Sequence, residues 1–548
     1  MSGSGDGPAE TNTRVGDEQA TPWTRQARWS LAAISGLVAM VIVDATIVNV
    51  ALPLIIEDLG ITSTQAQWVQ ASYTLVFAAL LLTFGRLADR IGRKRMLVLG
   101  SVVFAVASLV AAAAPDGSLL ILGRVLQGVG GAMIFPVALS ILSATFQGDA
   151  RNIAFAVWGA TIGGTAAIGP LIGGWLATAF SWRIAFLVFV PVAAVFGWLA
   201  GRVLTESRDP DGRAGLDLPS AALSALAAGL LVLGLTESRT WGWWGAGGDD
   251  ITFVGLPWRL PVSPTPVVLV LALVCAVAVV VRSRRRAGAN RPTMIDPAIL
   301  RTRTFRNGNV VTAVVYLAEF GLLFTLPMWW QFTLGYSAAQ AALALLPLAL
   351  ASILASGASA ALAQRFGPLR AVQIGLLCEV LGAAGVGLVI SGSTAWWVPQ
   401  GFLVLYGIGL GIGAAQLGSV VLADLPPARS GQGAGVSATC QQLGAALGVA
   451  VLGTVLFSTL GHDLTGRLSA SGEPVGSAQR IAEQVETTTG TAIGELAAAG
   501  NTAAAAAARD ALAVASSAAV LTAAALLFCA LLTAVLLMRP ATSRSGRG

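Results

Sequence analysis

Fourteen apolar runs succeed one another along this 548-residue chain, separated by short clusters of charge. They lie near 29–55, 67–85, 96–114, 118–146, 153–180, 184–205, 216–236, 264–281, 307–333, 338–362, 371–390, 395–423, 432–459 and 511–538. About 20 apolar residues span hydrocarbon as a helix, and a helix satisfies its own backbone hydrogen bonds there. Composition agrees: 11% of the residues are charged, against about 25% in soluble proteins. The runs predict an all-α integral membrane protein with 14 transmembrane helices. The first run is too long for a signal peptide and contains Asp44, so it is read as a retained helix.

An even number of crossings places both termini on one side. Twenty-six of the 33 lysines and arginines fall in the tails and loops of that side, and six fall opposite. Only Arg124 lies deep within a run, since Arg202 stands at the cytoplasmic end of the sixth. Basic loops stay cytoplasmic, so both termini are expected inside, with the protein in the inner (plasma) membrane of a bacterium. The arginine-rich connector at 281–306 is read as a topology signal near anionic lipid, not as a nucleic-acid site. The opposite side holds "TWGWWGAGGDD" at 240–250 and a polar segment at 461–510, expected to be partly helical. Trp182, Trp329, Trp330, Trp396 and Trp397 stand at the expected outer helix ends, where aromatic belts form.

Several enzyme classes find no support. Lys94 is the only lysine and Arg95 follows it, so no GxxxxGK[ST] phosphate loop is present. His462, the only histidine, lies in a polar loop, which removes a Ser-His-Asp triad and a histidine metal cluster. Cys275, Cys378, Cys440 and Cys529 form no CxxC pair, so no zinc site or disulfide framework follows. The chain is not expected to be an enzyme, and no metal or cofactor is expected.

An internal repeat orders the helices. "LADRIGRKRMLVLG" at 87–100 and "LAQRFGPLRAVQIG" at 362–375 share 6 of 14 positions at an offset of 275. Both follow a helix into a cytoplasmic loop, and eight helices separate them. That spacing predicts two parallel six-helix halves with helices seven and eight inserted, the arrangement of secondary transporters with a midplane site. The expected units are a cytoplasmic tail at 1–28, a six-helix bundle at 29–206, and the inserted pair with its basic linker at 207–305. A second bundle follows at 306–538, carrying the outer loop 461–510, and then a cytoplasmic tail at 539–548.

Four motifs in order resemble the major facilitator superfamily, in its fourteen-helix drug:proton antiporter branch. They are "DATIVNVALP" (44–53), "GRLADRIGRKR" (85–95), "RVLQGVGGA" (124–132) and "GPLIGG" (169–174). Gln364 stands in the second loop copy where Asp89 stands in the first, so only the first copy supplies that carboxylate.

The resemblance places Asp44, Arg124 and Glu319 around a central cavity, with Asn49 and Gln127 beside them. A carboxylate inside a membrane helix costs about 2.5–3.5 kcal/mol on insertion scales and is tolerated facing water or a partner. Asp44 is therefore read as facing the cavity and coupling protons, or alternatively as a packed helix contact. Glu319 is the only acidic or basic residue between Arg306 and Arg365; it would carry a proton, pair with a cationic substrate, or serve structurally. Arg124 would tune a carboxylate or bridge helices. Glu379 ranks lower: the family places its helix on the periphery, with the carboxylate toward the cytoplasmic interface.

In the signature loop, Gly85 and Gly92 permit tight turns. Asp89, Arg90 and Arg93 supply charges for a latch, with Asp89 docking on the N-terminus of helix thirteen. Gly169, Pro170, Gly173 and Gly174 give helix five a small, bent face, and its antiporter role rests on resemblance. The expected function is export of small lipophilic drugs or antibiotics, cations among them, in exchange for protons. The implied partners are a small molecule, protons and the lipid bilayer, with the proton gradient as energy source and a monomer as the working unit. Two alternatives stand: a dedicated exporter of one natural product, and a membrane sensor or scaffold that does not transport.

Overall fold

The computed structural model describes residues 24–146, 148–207, 217–244, 252–253, 256–258, 262–289, 293, 298–425, 427–488 and 490–538. The tails, apart from 24–28, lie outside these residues. Seventeen α-helices are described: α1 (Arg25–Leu59), α2 (Ser63–Ile91), α3 (Arg93–Ala112), α4 (Gly117–Thr145), α5 (Gly148–Ala179), α6 (Trp182–Leu187), α7 (Phe189–Val203), α8 (Leu218–Trp241) and α9 (Pro264–Gly288). There follow α10 (Arg303–Met328), α11 (Ala338–Phe366), α12 (Pro368–Val389), α13 (Gln400–Leu422), α14 (Pro427–Ala470), α15 (Val475–Thr487), α16 (Ala492–Ala498) and α17 (Thr502–Leu536). A short antiparallel pairing, Thr252–Phe253 with Leu256–Pro257, is the only sheet among the described residues.

Twelve helical stretches are long and apolar enough to span a membrane, and α2, bent between Leu81 and Thr83, adds a thirteenth. The remaining expected span falls in α5, whose described apolar stretch, Ile168–Ala179, is shorter.

The two halves repeat in detail. At the offset of 275, α2 and α11 coincide from first residue to last. Each opens with a capping box, Thr62 with Gln65 and Ser337 with Gln340, in which side chains and backbone N–H groups bond reciprocally. Each ends at a left-handed glycine, Gly92 (φ +122°) and Gly367 (φ +88°), before α3 and α12 begin. Packing repeats as well: α3 on α4 and α2 on α4 have counterparts in α12 on α13 and α11 on α13. Likewise α1 on α5 and α3 on α7 recur as α10 on α14 and α12 on α17.

The inserted pair α8–α9 forms a hairpin docked across the seam between halves. Trp68 of α2 donates its indole N–H to Glu237 (3.0 Å), and Thr454 of α14 donates to the Leu235 carbonyl (3.2 Å). At the other end of the hairpin, buried Asp217 caps α8 and pairs with Arg282 (3.1 Å) and Arg286 (3.2 Å) of α9.

The 461–510 segment is largely helical: α14 continues to Ala470, and α15 and α16 lead back to α17. Aromatic placement differs in part from expectation. Trp396 and Trp397 are exposed, but Trp329 and Trp330 are fully buried in a π-helical turn, Trp329–Thr333. That turn packs on α17, and the Trp329 N–H reaches the Ser391 carbonyl at 3.2 Å. Trp182 is also buried, donating to Asp58 at 2.9 Å. The indoles of Trp329 and Trp182 turn inward because a carbonyl and a carboxylate there receive their N–H groups, while the Trp330 N–H has no partner within the chain.

Candidate functional site

Asp44 lies near the middle of α1 and is fully buried, as is Arg124 on α4. Arg124 Nη1 stands 2.7 Å from Asp44 Oδ2, and its Nε donates to the Val69 carbonyl of α2 at 3.0 Å. Gln127, one turn beyond Arg124, donates to Asp44 Oδ1 (3.0 Å) and to Ser108 of α3 (3.0 Å). Its own oxygen accepts from Arg124 Nη1 at 2.9 Å. The guanidinium lies over the Tyr73 ring at 4.4 Å, and Tyr73 donates to the Val41 carbonyl at 2.9 Å. Four helices, α1 to α4, are thus tied through one ion pair.

This geometry corrects the expectation that Asp44 faces the cavity. Its carboxylate faces Arg124 and Gln127, and both of its oxygens are engaged. The physical reason is charge: a buried carboxylate and a buried arginine each offset part of the other's desolvation cost, and a buried charge left alone costs more. Arg124 Nη2 remains without a hydrogen-bond partner within the chain. Toward the far end of α1, Asn49 is buried with neither amide atom bonded within the chain, and Gln67 of α2 is likewise unpartnered.

Glu319 stands on α10, where the offset of 275 carries Asp44. It is half-buried and makes no ion pair among the described residues. Tyr316 and Phe320, beside it on the helix, stack at 6.4 Å. Between α4 and α13 the contacts shift the register to 279, with Gly130 on Phe104 matched by Gly409 on Glu379. Arg124 then falls on Leu403 and Gln127 on Tyr406, so the second half repeats the acid without its base.

Glu379 departs further from expectation. It is fully buried between α12 and α13, not turned toward the cytoplasmic interface. The glycines of α13 explain this, because they admit the side chain inward.

The signature loop is tightly held. Gly85 packs on Pro136 of α4, and Asp89 pairs with Arg93 at 2.9 Å. Arg90 occupies the last turn of α2. Asp89 is engaged by its own i+4 neighbour in this conformation, and its expected dock falls at the start of α14. The side chains at 427–432, where α14 begins, lie outside the described residues. The carboxylate found at a helix N-terminus is instead Glu206, which accepts from the backbone N–H groups of Lys94 (3.1 Å) and Arg95 (3.3 Å). Its carboxyl occupies the space that a Cβ on Gly92 would fill.

The Gly169–Gly174 face is a contact surface. A Cβ at Gly169 would strike Thr46, and one at Gly173 would strike Ile47, so α5 lies directly on α1. Gly174 faces Ala338 and Ala342 of α11, while Pro170 is buried within the helix.

A family model for the Major Facilitator Superfamily matches residues 34–235 and 220–449. The chain belongs to that superfamily. It is a membrane transporter, not an enzyme, and its relatives are drug and antibiotic exporters. The probable actinorhodin transporter of Streptomyces coelicolor is 34% identical over 473 residues, covering 84% of this chain and 77% of that protein. The multidrug efflux pump LfrA of Mycolicibacterium smegmatis is 30% identical over 500 residues, covering 89% and 94%. The methyl viologen resistance protein SmvA of Salmonella typhimurium is 30% identical over 477 residues, covering 85% and 91%. Among solved structures, a bacterial homolog of the human lysosomal transporter Spinster, inward-facing and unoccupied, shares the fold. Its TM-score is 0.61 at 17% identity, over 95% of this chain and all of that one.

In this major facilitator transporter the halves touch directly away from the described ends of α1 and α17. The Ala339 N–H donates to Thr178 (3.1 Å), Gln331 donates to the Val50 carbonyl (3.3 Å), and Gly453 leaves room for Gln67. Sequence reading missed Tyr73, Ser108, Glu206 and Asp217. Only Asp217 carries a local signal, a helix start spelled "DLPS". The partners of Tyr73, Ser108 and Glu206 lie on other helices or across the fold.

Proposed function

We propose that this transporter exports small lipophilic drugs or antibiotics, organic cations among them, in exchange for protons by alternating access. The observation that supports it best is Glu319, a half-buried acid with no ion pair among the described residues, at the repeat position of a fully paired one. An acid without a base can hold either a proton or a cation, and the two compete for it. A proton entering from outside occupies Glu319 and releases the cation outward. After the halves rock, loss of that proton to the cytoplasm restores the charge that captures the next cation.

Asp44 enters the cycle when a proton replaces Arg124 as its partner, freeing the network that ties α1 to α4. In this reading both termini are cytoplasmic, the membrane is the bacterial plasma membrane, and a monomer works on the proton gradient without a cofactor. Contacts between the halves on the side away from the termini support a conformer open toward the cytoplasm. The names of LfrA and SmvA support a drug substrate, and methyl viologen is an organic cation. The kinship with a probable actinorhodin transporter favours a second reading, an exporter dedicated to one natural product.

The test uses purified protein in proteoliposomes with an imposed pH gradient and ethidium, following dye and internal pH together. Opposed coupled fluxes in wild type, lost in Glu319→Gln, are expected. Flux that ignores the gradient would refute antiport. No ethidium movement, with flux of a single natural product, would select the dedicated exporter.

A further inference from the structure

Glu379 occupies the middle of α12, fully buried, with neither carboxyl oxygen hydrogen-bonded within the chain. α13 packs across it and presents glycine at the point of contact. A Cβ on Gly413 would lie 3.2 Å from Glu379 Oε1, and one on Gly409 would lie 2.7 Å from its Cγ. These glycines, one turn apart, open a window in α13 over the carboxyl. Tyr406, three residues before Gly409, has a buried hydroxyl that also lacks a partner. By the packing of α13 on α12, Tyr406 holds the place that Gln127 holds in the first half, where that residue reaches from Asp44 to α3. α10, which carries Glu319, packs on the same α13.

Charge decides what such a group can be. An ionised carboxylate without counter-charge or donors is penalised by several kcal/mol, and a proton removes most of that penalty. The groups on the surrounding helices supply no cation nearby. α10 offers Glu319 and Tyr316, α13 offers Tyr406, and α12 itself offers Cys378. Arg370 is nine residues away along α12, about 14 Å by helical rise, and Arg365 ends α11. Asp510 of α17 faces Gly392, beyond the opposite end of α12.

We propose that Glu379 is a second proton-binding site, exchanging its proton with Glu319 through the glycine window and the Tyr406 hydroxyl. The inference rests on the proton-antiport reading of Glu319. In the step, an O–H bond breaks on one carboxyl and another forms on its partner. Tyr406 accepts on one side and donates on the other, so nothing else changes. The C-terminal half thereby holds a proton deeper than the acid that meets substrate.

The test is an infrared pH titration of the full-length protein in proteoliposomes, following carboxylic-acid bands in wild type, Glu319→Gln, Glu379→Gln and Gly413→Ala. Two embedded acids of the C-terminal half should titrate in wild type, with one band missing from Glu379→Gln and the other from Glu319→Gln. Each single variant should also move the midpoint of the remaining acid, because the two are coupled. Wild-type bands retained in full by Glu379→Gln would overturn the proposal. If Glu379→Gln fails to fold, Gly413→Ala decides: it keeps the acid but narrows the window, and time-resolved infrared after a pH jump should show proton exchange slowed roughly tenfold, about 1.4 kcal/mol of barrier. Unchanged exchange in Gly413→Ala would also overturn it. Ethidium-coupled proton flux in the same vesicles separates the two ideas, since its absence from wild type refutes antiport whatever Glu379 does.

Discussion

The two six-helix halves share one packing plan and differ in where they keep charge. In the first, Asp44 is closed into Arg124, Gln127, Val69 and Ser108. In the second, Glu319 takes the place of Asp44 while Leu403 and Tyr406 take the places of the base and the amide. The position that holds Phe104 on α3, against Gly130, holds Glu379 on α12. One fold therefore supports a neutral pair on one side and two unpaired acids on the other. A repeat fixes helix positions, and substitutions at a few buried positions divide the labour: one half is tied rigidly, and the other carries exchangeable protons.

The largest expected effect comes from breaking the paired side. Arg124→Gln strands the Asp44 carboxylate, which should cost roughly 3–5 kcal/mol. Thermal melting in detergent should show that loss, and Asp44→Asn combined with Arg124→Gln should recover much of it. Glu319→Gln should melt within about 1 kcal/mol of wild type, since a carboxyl without an ion pair loses little when made neutral. Equal losses in the two single variants would abolish the distinction between halves.

Next in size is helix contact. Gly173→Leu would drive a side chain into Ile47 where α5 lies on α1, and overpacking of this kind costs about 1–3 kcal/mol. Gly357→Leu on α11, where a Cβ meets nothing within 4 Å, should be tolerated. Expression and melting of both variants would check the pair.

The loop repeat sharpens the comparison at a smaller scale. Gly92 and Gly367 both hold positive φ, so alanine strains either by about 1–3 kcal/mol. Only at Gly92 would the new Cβ also meet a side chain, the Glu206 carboxyl that caps α3. Gly92→Ala should therefore destabilise more than Gly367→Ala, and Glu206→Ala, which empties that space, should narrow the difference.

The sequence exposes some of this directly. Apolar runs reveal the spans because each must satisfy hydrocarbon on its own, and the repeated loop reveals the halves because its turn needs glycine and arginine. Asp44, Arg124 and Glu319 stand out as charges among apolar residues. That Arg124 closes on Asp44 cannot be read locally, because the partners are eighty residues apart and meet only after α1 and α4 pack. Glu379 misleads for a similar reason: its exposure depends on Gly409 and Gly413 of another helix. Trp329 and Trp330 look like interface residues, and a π-helical turn buries them.

The smallest effect concerns the inserted hairpin, which neither half repeats. Burial alone would raise the Asp217 carboxyl, but the Ser220 hydroxyl and the guanidiniums of Arg282 and Arg286 outweigh it and hold the group below the usual carboxylate range. A carboxyl lowered in this way stabilises the folded hairpin at every pH above its unfolded value. The contribution fades as acid drives the pH down through the lowered folded value, while neutral and alkaline pH leave it intact. Protection of α8 and α9 against hydrogen exchange, relative to the intrinsic rate at each pH, should therefore fall only on acidification, and Asp217→Asn should remove that dependence. Because Arg282 and Arg286 are partly open to solvent, salt should weaken the effect. Acid sensitivity persisting in Asp217→Asn would transfer the hairpin's anchorage to the other end, where Trp68 and Thr454 hold it to both halves at once. The hairpin would then act on the seam that opens and closes, and not merely beside it.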